Sequence, residues 1–192
     1  RTEVAKSIFG ARSILKGDIF IDGKKVSIKN PMQAMKHGIA FVTEDRKTEG
    51  LVLDFSIKEN MFLTNLDLVS KAGIIQSKIE HEETEKYINQ LKVRCANGEQ
   101  TVGSLSGGNQ QKVVIAKWLS TNPKVLILDE PTRGVDIGAK KEIYTIINRL
   151  AEQGVAILMI SSELPEVIGM ADRVLVMHEG KQTAILQKDE LT

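Results

Sequence analysis

The chain has 192 residues, 42% of them apolar and 27% charged, a balance that belongs to folded proteins and excludes wholesale disorder. That length bounds the architecture to one domain, or one domain carrying an insertion. A formal net charge of +1 supplies no broad basic field and argues against nucleic acid as a partner, while the single Cys95 excludes an intrachain disulfide.

No apolar run approaches the ~20 residues that cross a bilayer as a helix. The start, Arg1-Thr2-Glu3-Val4, has neither a signal segment nor an initiator methionine, so the chain is expected to be a piece of a longer polypeptide.

In chain order, Val4, Ile8, Phe9, Ala11 and Leu15 recur at a near-helical spacing and predict a helix from Glu3 to about Lys16, with Gly10 interrupting its middle. Gly17 to Val26 alternates apolar and polar residues around Asp22-Gly23, a hairpin signal. Pro31 starts a short helix through Met35, and Gly38 ends it. Ile39 to Val42 reads as a buried strand running into Thr43-Glu44-Asp45-Arg46-Lys47. From residues 50 to 104 the character changes, and spaced apolar residues such as Ile79, Tyr87, Ile88 and Leu91 predict a helical insertion rather than more sheet.

Ser106-Gly107-Gly108 then opens a helix expected from Asn109 to about Ser120. A helix start with small residues exposes backbone N–H groups, carries a partial positive charge and receives phosphate well; the plainer reading is a glycine turn that merely begins a helix. Val125 to Leu128 is an apolar strand ending in Asp129-Glu130. Helices at Ala139–Leu150 and Leu164–Gly169 alternate with strands at Val155–Ile160 and Arg173–Met177, and Glu179-Gly180 turns into Lys181–Leu186. Such alternation predicts an α/β fold with a parallel sheet covered on both faces, whose ligands gather at the carboxyl ends of the strands. Asp129, Glu130 and Ser162 fall there. Trp118 reads as core, and His37, His81 and His178 as surface residues.

Leu105-Ser106-Gly107-Gly108-Asn109-Gln110-Gln111, followed by Leu126-Ile127-Leu128-Asp129-Glu130-Pro131, resembles the signature motif and Walker B of ABC-transporter ATPases. Thr43-Glu44-Asp45-Arg46-Lys47 and Ile160-Ser161-Ser162-Glu163 are similar to the second nucleotide-binding half of the tandem ATPases that drive monosaccharide import in bacteria. Gly50-Leu51-Val52-Leu53 and Val176-Met177-His178-Glu179-Gly180 look most like its ribose importers, with galactose, xylose or a signalling sugar as the alternatives.

The resemblance implies an ABC-type P-loop ATPase: one nucleotide-binding domain over residues 1–192, cut short at its N-terminus, with a mostly parallel core sheet, a small antiparallel part and a helical insertion at 50–104. It implies ATP and Mg2+ as ligands. The partners it implies are the first half of the same polypeptide, membrane permease subunits and, indirectly, a periplasmic sugar-binding protein, at the cytoplasmic face of the inner membrane. Thr2 and Asp129 would hold magnesium, which takes few carboxylates. Glu130 would act as general base or water-positioning group. Ser106, Gly107, Gly108 and Gln110 would bind an ATP held by the partner half. Asp136 matches the D-loop and is equally suited to capping a helix.

Four positions depart from the active pattern: Arg1, Glu44, and Ser162 with Glu163 where the H-loop His-Asp is expected. Arg1 and Thr2 align with the Lys-Ser/Thr pair of the phosphate loop, where a planar guanidinium replaces a compact ammonium. Glu44 stands at the Q-loop glutamine, where a carboxylate repels phosphate and cannot donate as an amide does. Ser162 stands at the H-loop histidine and carries no switchable proton. The resemblance therefore implies an intact signature beside a degenerate site of its own. Chromosome-associated ATPases share Ser-Gly-Gly, but residues 50–104 lack the heptads of their coiled coils. A soluble regulatory ATPase without a permease is the remaining alternative.

Overall fold

The computed structural model describes residues Arg1–Leu191. Its first helix, α1 (Thr2–Ile8), ends eight residues before the predicted limit, and the chain continues in turns through Lys16. A hairpin follows, β1 (Ile19–Ile21) with β2 (Lys24–Val26), then α2 (Pro31–Lys36), capped by the Asn30 side chain, and β3 (Ile39–Val42).

Residues 50–104 hold α3 (Ile57–Phe62) and α4 (Ser77–Leu91), as the apolar spacing predicts, but also a small hairpin of β4 (Ser70–Lys71) and β5 (Ile74–Ile75) that it does not. Ser56 opens α3 with a reciprocal capping box to Glu59, which satisfies backbone donors at both residues. The two-residue turns of both hairpins place two successive residues at positive φ, Asp22 and Gly23 in the first, Ala72 and Gly73 in the second. Asp-Gly is a common carrier of that turn. Ala-Gly is not, which is why the second hairpin is hidden in the sequence.

The second half contains α5 (Gly107–Leu119), β6 (Val125–Asp129), α6 (Ile137–Glu152), β7 (Ala156–Ile160), α7 (Leu164–Met170), β8 (Arg173–His178) and β9 (Lys181–Gln187). The parallel sheet runs β3-β6-β7, and β8 pairs antiparallel with β9 instead of extending it among the described residues.

The strict in–out alternation of strand side chains splits the core in two. Ala40, Val42, Leu126 and Leu128 face α3, α5 and α6, whereas Ile39, Phe41 and Ile127 face Ala5, Phe9, Ile28 and Ala34. Trp118 stacks edge-on against Phe9 with ring centroids 5.4 Å apart, a core role as expected. The sheet is covered on both faces at β3 and β6, but less so at β7, where Leu158 is 41% exposed. α5 runs through the centre, buried along nearly its whole length, and even its Lys112 and Lys117 are inside.

Candidate functional site

Three adjacent parallel strands end together, and each delivers one of the predicted residues. β3 runs into Thr43 and Glu44, β6 ends at Asp129 with Glu130 next, and β7 leads to Ser161 and Ser162. The chain turns sharply after β6: Glu130 sits at φ +48°, and its N–H donates to Ile160 O at 2.9 Å, which locks it against the end of β7. A left-handed glutamate is strained, and residues held that way cluster at functional sites.

Asp129 is wholly buried, and neither carboxylate oxygen has a hydrogen-bond partner. Burial pushes its pKa up; the nearby Thr2 hydroxyl opposes that, though without an ordinary hydrogen bond, and the neighbouring Glu130 charge adds to it. An orphaned buried carboxylate beside a hydroxyl is an oxygen donor set suited to a hard cation. Magnesium, which keeps most of its waters and takes one or two carboxylates, fits it.

The other predicted groups are engaged with each other. Arg1 Nη1 donates to Ser161 O at 2.6 Å, so the guanidinium is tethered beside the end of β7. Ser162 Oγ donates to Glu130 Oε2 at 3.1 Å, so the serine at the H-loop position holds the glutamate next to Asp129. Glu44 forms an ion pair with Arg133 and thereby ties the segment after β3 to the loop after β6. Behind these, Thr132 Oγ1 donates to Glu166 Oε1 at 3.0 Å, and Lys140 Nζ reaches Glu163 Oε1 at 2.5 Å.

α5 begins two residues earlier than expected, at Gly107, with Ser106 as its N-cap. The serine side chain makes no bond to the helix N–H groups, so the helix start is left open. Both glycines have packing reasons as well. A Cβ on Gly107 would lie 2.6 Å from Arg46 Nη2, and one on Gly108 would lie 2.4 Å from Ala139 Cβ. Asp136 caps α6 by accepting from Ala139 N at 2.9 Å.

Packing around α5 decides which side chain is available. Gln110 points inward and is only 5% exposed; its Oε1 accepts from Arg46 Nε at 3.4 Å and its Nε2 donates to Val102 O at 3.2 Å. Asn109 is the side chain at the mouth, donating to Ser106 Oγ at 2.9 Å. Arg46, which the sequence marks only as part of the stretch Thr43–Lys47, also donates to Arg133 O at 2.8 Å and Gly134 O at 3.2 Å, so it clamps α5 to the loop after β6. Its sequence signal is the resemblance of that stretch as a whole, which assigns the arginine no role of its own. Beside Ser106, a cavity of about 120 Å³ opens between the starts of α5 and α6, lined by Arg94, Asn109, Asp136 and Glu142 among others.

Comparison with known proteins identifies the family and the fold. A ribose import ATP-binding protein RbsA from Bacillus cereus is 60% identical over 190 residues, covering 99% of this chain and 38% of that protein. Its counterpart from Geobacillus kaustophilus is 58% identical over 191 residues, covering 100% and 39%. The chain thus spans less than two fifths of the length of these relatives. The crystal structure of the ADP conformation of MJ1267, an ATP-binding cassette of an ABC transporter, superposes with a TM-score of 0.83 at 24% identity, covering 100% of this chain and 77% of that one, which establishes the fold. The family model described as ABC transporter matches residues 1–133. Since that span includes Ser106-Gly107-Gly108 and Asp129-Glu130, the chain belongs to the ABC transporter family.

Proposed function

We propose that this chain is the second nucleotide-binding half of an ATPase that powers import of a monosaccharide, ribose in preference to galactose, xylose or a signalling sugar, and that its signature helix completes the ATP site of the first half. The observation that carries the reading is an asymmetry between two sets of groups. At the strand ends Arg1, Glu44 and Ser162 are bonded to Ser161, Arg133 and Glu130, whereas Ser106 leaves the start of α5 without a side-chain cap. The ribose preference rests on similarity along essentially the whole of this chain to part of proteins named for ribose import.

In its own site the chain offers Asp129 and Thr2 to Mg2+, and Glu130 to orient a water for attack on the γ-phosphate. Bound magnesium would neutralise charge on the β- and γ-phosphates. Ser162 binds the Glu130 carboxylate and competes with that water, while Glu44, held by Arg133, cannot supply the donor of a glutamine. The site therefore holds nucleotide with slow turnover. For the partner's site, α5 offers backbone N–H groups of Gly107 and Gly108, the Ser106 hydroxyl and the positive end of the helix dipole.

The partners on this reading are the first half of the polypeptide, the permease and, through it, a periplasmic sugar-binding protein. The protein would sit peripherally at the cytoplasmic face of the membrane; no described helix is long and apolar enough to cross one. ATPase rates of the full-length protein test the proposal. Ser106→Arg is expected to abolish most turnover, and Glu130→Gln to remove a smaller share. Equal losses from the two would refute the asymmetry.

A further inference from the structure

Ser106 occupies the position of a helix cap, yet its oxygen is used differently. Ser106 Oγ lies 2.9 Å from Asn109 Nδ2, and Asn109 Oδ1 lies 2.8 Å from the backbone N of Arg94. A backbone N–H can only donate, so the oxygen of the carboxamide must face Arg94 and its NH2 must face the serine. In that bond Ser106 Oγ is the acceptor, and its own proton points elsewhere. Among the described residues no acceptor takes that proton.

The donor that sets this arrangement is itself held firmly. Arg94 Nη2 pairs with Glu142 Oε1 at 2.6 Å, and Glu142 Oε2 pairs with Lys112 Nζ at 2.7 Å. Lys112, only 1% exposed, also donates to Lys92 O at 2.7 Å. The segment 92–94 is thereby fixed to both α5 and α6, and the Arg94 N–H is presented to Asn109 by a braced backbone.

We propose that Asn109 is a positioning residue that orients the Ser106 hydroxyl outward as a proton donor to a phosphate oxygen of the nucleotide held by the partner half. The proposal rests on the in-trans reading above. An aspartate at 109 would keep the bond from Arg94 N but would accept from Ser106 as well. That would turn the hydroxyl proton inward and place lone pairs and a negative charge before the phosphate.

The test is steady-state ATPase kinetics of the full-length protein carrying Ser106→Ala, Asn109→Ala, the double change, and Asn109→Asp, with thermal unfolding of each. A hydrogen bond to a charged phosphate corresponds to about tenfold or more in kcat/KM. Ser106→Ala and Asn109→Ala are each expected to lose about that factor, and the double variant no more than either, because both remove one bond. Asn109→Asp is expected to lose more than Asn109→Ala while melting at the wild-type temperature. Multiplying losses, about 100-fold in the double variant, would overturn the proposal, as would wild-type turnover of Asn109→Ala beside an impaired Ser106→Ala. Wild-type turnover of Ser106→Ala would instead overturn the in-trans reading itself. If Asn109→Ala folds poorly, Asn109→Asp decides, since it keeps the acceptor for Arg94.

Discussion

Lys117 offers the sharpest test of the packing around the signature helix. It lies on the buried side of α5, only 7% exposed, where its ammonium donates to the carbonyl of Gly50 and sits 5.6 Å from the centre of the Trp118 ring. No carboxylate pairs with it among the described residues, and burial lowers its pKa from 10.5 to about 8. The sign follows from proton binding. Between pH about 8 and 10.5 the unfolded chain holds the proton more tightly than the folded one, so stability rises with pH across that window. Below about 8 the folded protein bears the full cost of an enclosed charge, about 3 kcal/mol at about 1.4 kcal/mol per pH unit.

Lys117→Met removes the charge with little change in length and leaves the Gly50 carbonyl without its donor, a loss of about 1–2 kcal/mol. At pH 7 the relief exceeds the loss, and the variant is expected to be more stable than wild type by about 1–2 kcal/mol. Near pH 10.5 the wild-type amine is neutral, still donates to Gly50, and the order reverses. Urea unfolding followed by fluorescence of the single Trp118 at pH 7, 8.5 and 10 measures the difference, in which shared titrations such as those of Tyr87 and Tyr144 cancel. A difference independent of pH would refute the argument, because it would mean that the ammonium is solvated or paired.

Asp129→Asn is expected to raise the melting temperature in magnesium-free buffer. The folded carboxyl titrates above the unfolded 3.8, so stability falls as pH rises from 3.8 through the folded value and the full cost is present only above it. The same variant should lose the stabilisation that Mg-ATP gives wild type, and a lower melting temperature without ligand would contradict the buried, unpaired charge. Gly108→Ala should destabilise by about 1–3 kcal/mol in denaturant titrations, since its Cβ would lie 2.4 Å from that of Ala139. Ala139→Gly in the same chain should restore most of the loss, and failure to rescue would place the clash elsewhere.

Much of this site is legible in the sequence because its parts are local. An apolar strand of five residues ending in Asp129 followed by Glu130 announces a carboxylate pair at a sheet edge, and Ser106-Gly107-Gly108 announces a helix start. What escapes is either phase or distance. Gln110 is assigned to the partner's nucleotide by the resemblance, but the face of α5 on which it lies packs against Arg46 and Val102 and buries it, while its neighbour Asn109 lies at the mouth. Lysines read as solvated, yet Lys112 and Lys117 are enclosed because partners from residues 50, 92 and 142 meet them inside, and no local pattern encodes such meetings. The β4–β5 hairpin is hidden because alanine seldom takes the left-handed turn position that Ala72 occupies.

The distribution of unsatisfied groups separates two tasks that an ATP site usually combines. At the strand ends, both carboxylate oxygens of Asp129 and the buried Thr43 hydroxyl are left without partners, and on the proposed reading Asp129 would serve a metal, while Glu44, Ser162 and Arg1 are bonded within the chain. Nucleotide bound there would be anchored through magnesium without its terminal phosphate being tested. Arg46 ties the strand ends to the start of α5, since its guanidinium reaches Gln110 on α5 and the carbonyls of Arg133 and Gly134, while Glu44 pairs with Arg133 itself. The segment after β3, the loop after β6 and the start of α5 are therefore one braced unit. On the proposed reading, a nucleotide in the chain's own site would turn over slowly, and most of the energy of turnover would be drawn from the site that Ser106 completes.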